Sequence, residues 1–268
     1  MPDLDVREQL FAGMADHKVT AAVVADQAGV VAEVEAAAAL AAANGLAVIQ
    51  AAASGDEVRP DDTLLVFVGL PAAVASAEER LMGVMAKPSG IATAARAFTR
   101  QAAPGLRVVA GAWKKVAPAQ KESTRAAVAT GGAKARICPP PFVYLDKNHV
   151  AMLGGVTSAL AAAGRLPGHR RVVQLGRSPH IAADAEAAAR AGADVVFVDT
   201  GRRADVIAVA DHLRRTGLRD RVELAFAGDV QLADLDELGR LDLDVVDVGR
   251  AIVDAPLLDM HLEIVEVA

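Results

Sequence analysis

From Leu106 onward, short β-branched runs alternate with alanine-rich runs of helical character, and this alternation narrows the possible folds more than any other feature of the chain. The candidate strands are Leu106–Ala110, Phe142–Leu145, Arg171–Leu175, Val195–Val198, Val222–Phe226 and Val245–Val248, with helices such as Ala182–Ala191 and Asp205–Thr216 between them. From Phe142 the spacing is roughly 25–30 residues, the length of a βα unit whose strands run parallel. Six such strands predict a closed or nearly closed α/β barrel that stops short of eight units. A doubly wound open sheet is the rival arrangement. Neither G-x-G-x-x-G nor G-x-x-x-x-G-K-[ST] occurs, so no phosphate-loop fingerprint supports it.

Before Leu106 the pattern is mixed. Val19 to Glu35 reads as strand then helix, Ala36 to Asn44 as helix stopped by Gly45, and Leu46–Ala51 and Thr63–Gly69 as strands. A long helix follows from Ala72, with a jog expected at Pro88-Ser89-Gly90 and an end before Pro104-Gly105. With 53% hydrophobic and 23% charged residues the chain can bury a core and is too apolar for disorder. The formal net charge of −6 and the 3% aromatic content argue against a nucleic-acid partner. The single cysteine, Cys138, excludes an intrachain disulfide framework and a cysteine-based metal cluster. The acidic start MPDLDVREQL has no apolar core of a secretory leader, and charges or glycines interrupt every apolar stretch, so a cytoplasmic protein without a membrane partner is expected.

In a parallel barrel the chemistry gathers where the strands end. Trp113-Lys114-Lys115 follows the first strand and Asp146-Lys147-Asn148-His149 the second; Gln174, Gly176 and Arg177 close the third and Asp199 the fourth. Ala227-Gly228-Asp229 and Gly249-Arg250 follow the last two. Lys121, Arg125, Lys134 and Arg136 lie between the first two strands. Cations so grouped repel one another unless an anion joins them, so a phosphate- or carboxylate-bearing small molecule is the matching ligand. Asp146, Asp199 and Asp229 can offer oxygen ligands to Mg²⁺ if that ligand is a polyphosphate. A solvated rim of ordinary salt bridges is the alternative. Lys147 can grip an anion or, if desolvated, form a Schiff base. His149 can serve as acid or base, or hold structure.

These residues form an ordered pattern that resembles the quinolinate phosphoribosyltransferase family over nearly the whole length. Ser89-Gly90-Ile91-Ala92-Thr93 looks like the family's SGIAT, Gly55-Asp56-Glu57-Val58 with Leu64–Gly69 like its G-D-x-V…L-x-x-V-x-G, and Glu79-Arg80 like its Glu-Arg helix. Lys114-Lys115-Val116-Ala117-Pro118 aligns with R-K-T-T-P, Val128–Gly132 with A-V-R-x-G-G, and Asp146–Val150 with K-D-N-H-I, its first two residues exchanged. Ala191–Asp194 through Asp199 resembles AGAD…LD, and Val246–Gly249 a strand leading to a phosphate-binding glycine. The resemblance implies an N-terminal α/β sandwich domain over 1–104, to which 256–268 returns, and an incomplete parallel α/β barrel over 105–255 that carries the site. It implies a homodimer in which Arg80 enters the partner's site. The implied chemistry joins a pyridine dicarboxylate to the ribosyl carbon of phosphoribosyl pyrophosphate with Mg²⁺ and then loses carbon dioxide.

Carried over, Lys115 and Lys147 are catalytic candidates. Arg80, Lys114, Lys134, Arg136, His149, Gly228, Gly249 and Arg250 bind substrate, and Asp199 and Asp229 hold metal. The departures fall mainly on the phosphoribosyl side. R-K becomes Lys114-Lys115, N-H-R becomes Lys134-Ala135-Arg136, and the acidic strand E-V-E becomes Val173-Gln174-Leu175-Gly176. E-x-S-G-G becomes Ala225-Phe226-Ala227-Gly228-Asp229, placing a carboxylate in the phosphate loop, with Arg250 as its expected compensation. A diverged transferase with an altered acceptor or donor site is therefore expected. A lysine-dependent lyase or decarboxylase using Lys147, and a non-catalytic anion-binding relative, are the alternatives.

Overall fold

The computed structural model describes residues 6–111 and 113–268, Trp113 by its backbone alone; residues 1–5 of the leader reading and the Trp113 side chain lie outside the described residues. The chain forms two compact units and passes between them repeatedly: one holds residues up to Arg96, Lys115–Gly132 and Asp254–Ala268, the other Ala97–Lys114 and Ala133–Val253.

The first unit contains β1 (Val19–Ala25), β2 (Gly29–Val30), β3 (Ala47–Ala51), β4 (Glu57–Val58) and β5 (Thr63–Gly69). The second contains β6 (Arg107–Val109), β7 (Phe142–Leu145), β8 (Arg170–Leu175), β9 (Val195–Asp199), β10 (Glu223–Ala227) and β11 (Val245–Asp247). The last strand, β12 (Met260–Val267), belongs again to the first unit.

In the first unit a four-stranded antiparallel sheet runs β12-β1-β5-β3, with β2 and β4 paired beside it. Its core combines Val23, Leu64, Leu65 and Phe67 from the sheet with Val34 and Ala37 from the helix Val34–Ala43 and Leu81 and Met85 from the helix Pro71–Gln101. Truncating one such buried leucine costs about 2–5 kcal/mol. The long helix is unbroken through Pro88, where the sequence predicts a jog.

The second unit is a six-stranded parallel sheet of order β6-β11-β10-β9-β8-β7. Chain-consecutive strands are neighbours throughout β7 to β11, and β11 then pairs with β6, the first. A doubly wound sheet reverses direction at a switch point; here the winding never reverses, which is the order of a barrel. β6 and β7 do not pair, so the barrel is incomplete, and the Lys134 backbone bridges to Val109 on the open flank. Strand side chains alternate faces, and the inward set, Val109, Val172, Val195, Phe197, Ala225 and Val245, forms a core with Tyr144 and the buried Cys138. Burial pushes the Cys138 thiol up, away from nucleophile chemistry. At the strands' N-terminal ends Glu223 joins Arg107 (2.5 Å) and Arg170 (3.2 Å), an ion triad at the barrel bottom.

Candidate active site

Carrying the alternation past the apolar layer puts Gln174 above Val172, Asp199 above Phe197 and Asp247 above Val245 at the C-terminal mouth. The Gln174 amide donates to Asp199 Oδ2, while its Oε1 accepts the Lys147 N–H at 3.2 Å. The glutamine that replaces the family's carboxylate is thus a bridge between β7 and β9. Burial pushes the Asp247 carboxyl up to about 6, the Asp199 charge adds to the rise, and the amides of Gly111 (2.7 Å) and Gly249 oppose it.

At the end of β7 the buried Asp146 caps the helix Lys147–Met152, accepting the N–H groups of Asn148 and His149 at 3.0 Å each. It also accepts from Lys114 Nζ and, at 2.7 Å, from His149 Nδ1. The Lys114 ammonium bonded to it and the His149 amide hold its carboxyl well below the usual carboxylate range, against the opposing effect of burial. His149 Nδ1 faces the Asp146 carboxylate, and the exposed ring leaves Nε2 without a partner among the described residues.

The loops after β9 and β10 are packed backbone to backbone. Gly228 (φ +126°) lies against Gly201, whose N–H donates to Ala227 O at 3.0 Å, and a Cβ on Gly228 would overlap the Gly201 Cα. Asp229 takes a left-handed conformation (φ +55°) and pairs with Arg250 at 3.0 Å, the compensation expected from the sequence. Lys134, Arg136 and Lys147 are exposed, with no side-chain partner among the described residues. Lys147 also lines a cleft of about 450 Å³ with Gln174, Gly176 and Arg177.

The barrel mouth therefore brings together Lys114, Lys147, His149, Asp199, Gly228, Asp229, Gly249 and Arg250. Lys115 is exposed and falls in the first unit, as does Arg80, whose guanidinium donates to Asn44 Oδ1 at 2.5 Å. Asp247 and Tyr144 are absent from the set read off the sequence. Strand alternation was the signal that could have found them, because each continues the inward face of a strand whose other residues look like plain core.

No group of three or more His, Cys, Asp or Glu is placed to hold a metal among the described residues. Mg²⁺ takes one or two protein carboxylates and completes its shell with water and substrate phosphate oxygens. The neighbouring Asp199 and Asp247 fit that donor set, whereas Asp229 is engaged by Arg250.

The winding and the mouth define an α/β barrel of the kind that works at the C-terminal ends of its strands. The chain belongs to the quinolinate phosphoribosyl transferase family: the profile of its C-terminal domain matches residues 91–263 and that of its N-terminal domain residues 5–89. Members of this family are phosphoribosyltransferases, which are pentosyltransferase enzymes. A probable nicotinate-nucleotide pyrophosphorylase (carboxylating) of Archaeoglobus fulgidus is 28% identical over 223 residues, 82% of this chain and 84% of the relative. The human nicotinate-nucleotide pyrophosphorylase (carboxylating) is 30% identical over 190 residues, 70% of this chain and 62% of the relative. The fold is shared with NadC from Streptococcus pyogenes (TM-score 0.83, 20% identity, 98% of this chain and 90% of the other). It is shared also with nicotinate-nucleotide pyrophosphorylase from Pyrococcus furiosus (TM-score 0.81, 24% identity, 97% and 72%). No helix among the described residues is long and apolar enough to cross a membrane.

Proposed function

We propose that this chain transfers a phosphoribosyl group to a pyridine carboxylate or a similar anionic small molecule, with a site diverged from the standard quinolinate enzyme. The observation that carries this reading is the polarised mouth. Cations without a carboxylate partner among the described residues, Lys147 and Arg177, follow β7 and β8, and the carboxylates Asp199 and Asp247 end β9 and β11. Ribosyl transfer of this type passes through an oxocarbenium-like centre, so catalysis is positioning and charge balance more than nucleophilic attack. Lys147 steers the anionic acceptor, Asp199 and Asp247 face the developing positive charge, and the Gly228–Asp229 and Gly249–Arg250 loops receive the donor's phosphate. Mg²⁺ held by Asp199 and Asp247 would neutralise the leaving pyrophosphate. Lys115 and Arg80 act on the same substrates as the resemblance implies, Arg80 from the partner of a homodimer.

A lyase built on Lys147 needs a desolvated amine, and Lys147 is exposed. Calorimetric titration of phosphoribosyl pyrophosphate, with and without Mg²⁺, tests the transferase. Mg²⁺-dependent binding, followed by release of pyrophosphate with a pyridine carboxylate, is expected. Failure of donor binding by folded protein, with and without a panel of carboxylates, would replace this reading with an anion-binding protein.

A further inference from the structure

Arg80 is held differently from the paired cations of the barrel mouth. Lys114 is bonded to Asp146 and Arg250 to Asp229, so a carboxylate neutralises each of them within the protein. Arg80, exposed on the helix Pro71–Gln101, meets no carboxylate among the described residues. Its partner is the uncharged side-chain amide of Asn44, whose Oδ1 accepts from the guanidinium at 2.5 Å.

The local fold gives that amide a single orientation. Asn44 follows the helix Val34–Ala43, where its own N–H bonds to Leu40 O at 3.2 Å and Ala41 O at 3.0 Å. Gly45 (φ +78°) then turns the chain, so that the buried Leu46 returns its N–H to Ala41 O at 3.1 Å and closes the helix end. Asn44 Nδ2 donates to Leu40 O at 2.7 Å. Reversing the amide would set Nδ2 against the guanidinium and Oδ1 against a carbonyl, two repulsive pairs in place of two hydrogen bonds. The last carbonyls of the helix add partial negative charge, which favours a cation at this point. The guanidinium is therefore restrained through one of its five N–H donors and keeps its charge. A carboxylate in the place of Asn44 would restrain it as firmly but would neutralise it.

Resting on the reading that Arg80 serves the partner's site in a homodimer, we infer that Asn44 is the positioning residue of that arginine: it holds the guanidinium ready for an anionic ligand without neutralising it. An arginine loses rotamer freedom when it grips an anion, and a restraint already present in the free protein lowers that cost.

The test is a double-mutant cycle on the full-length protein, read by calorimetric titration of phosphoribosyl pyrophosphate with Mg²⁺ and of pyridine-2,3-dicarboxylate. Arg80→Ala is expected to weaken one of these ligands by about tenfold or more, and Asn44→Ala to weaken the same ligand by about threefold or more. In the double variant the loss is expected to equal that of Arg80→Ala alone, because Asn44 acts through Arg80; a purely structural role would add its own loss. Asn44→Asp keeps the contact and puts a negative charge on it, so it is expected to weaken the ligand at least as much as Asn44→Ala. Urea titration establishes that each variant is folded. Asn44→Ser, too short to reach Arg80 but able to keep an oxygen at the helix end, takes the place of Asn44→Ala in the cycle if that variant does not fold. Native affinity in either Asn44→Ala or Asn44→Asp, or losses that multiply in the double variant, overturns the inference alone. Native affinity of Arg80→Ala for both ligands removes the reading of Arg80 and the inference with it. Binding of neither ligand by the unaltered protein removes the transferase reading itself.

Discussion

Ser89, Gly90 and Thr93 form the strongest local match to the family, and the structure gives each of them a scaffolding task. Ser89, fully buried, accepts the Ala32 N–H at 2.9 Å, and Thr93 accepts the Val30 N–H at 2.8 Å, so two consecutive turns of one helix satisfy the backbone leaving β2. Gly90 is bare because the Pro256 carbonyl occupies the space of a Cβ. Ser89→Ala would leave the Ala32 amide unsatisfied and is expected to lower stability by about 1–3 kcal/mol in urea titration. Asp146 supports a pH prediction. Its folded pKa is depressed, so its contribution is complete above the unfolded carboxylate value, about 3.9, and is lost as pH falls toward the folded one. The stability gap between the native chain and Asp146→Ala, about 1–2 kcal/mol near pH 7 for a lost cap, is expected to shrink steadily below pH 4. A gap independent of pH would mean that the cap acts without its charge. Of the candidate site, Lys147, Asp199, Asp229 and Arg250 were legible because a charge placed at the end of an apolar strand or soon after it marks the point where the chain leaves the core and meets solvent or ligand. Tyr144 and Asp247 were not, because single polar residues within or ending a β-run look like ordinary strand positions until the inward face is known.

Among the elements, the barrel strands were the most legible, with Phe142–Leu145 matching at both ends and the others shifting by at most one residue at either end. Parallel buried strands are near-continuous apolar runs, so their limits are set by the first charged or glycine residue. Pro88 misled for a physical reason. A proline inside a helix removes one N–H and crowds the preceding turn, which usually signals a break. Here the helix continues and the surrounding turn is used to fasten the returning chain: the Ala86 carbonyl accepts the Leu258 N–H at 3.0 Å and Lys87 Nζ donates to Ala255 O at 2.6 Å. Gly90→Ala is expected to displace 255–258 from this helix and to speed hydrogen exchange at the amides of β12 while those of β8 and β9 keep their protection. At the mouth, Gly228→Ala combines a left-handed φ with overlap on Gly201 and is expected to cost about 3 kcal/mol and to weaken donor binding in calorimetry.

At the scale of the molecule, the winding direction of the second unit was implicit in the repeat of βα units, whereas the division of the chain was less accessible. Residues 115–132 cluster with the first unit, although the change of pattern at 105 suggests that everything after it is barrel. A helix that leaves a barrel and joins another unit has the same amphipathic spacing as one that stays, so periodicity cannot separate them. The proposed homodimer leads to a mixing experiment. If Arg80 serves the partner's site, Arg80→Ala and Lys147→Ala proteins, each inactive, are expected to regain about a quarter of native activity when subunits exchange, since half the dimers then carry one intact site. No recovery, with exchange demonstrated, would place Arg80 in its own subunit's chemistry.

The pairing of β12 with β1 has a bearing on how the protein is made. β1 is among the first strands to leave the ribosome, and from Val19 to Ala25 it has one neighbour in β5 and the other in Met260–Val267. The barrel strands, all synthesised before Val253, have every partner they need while β1 still lacks one flank. Synthesis usually favours the N-terminal part of a chain. Here the order is inverted: the later unit can settle first, and the earlier one must wait with an open strand edge, a stretch of nascent chain suited to chaperone protection.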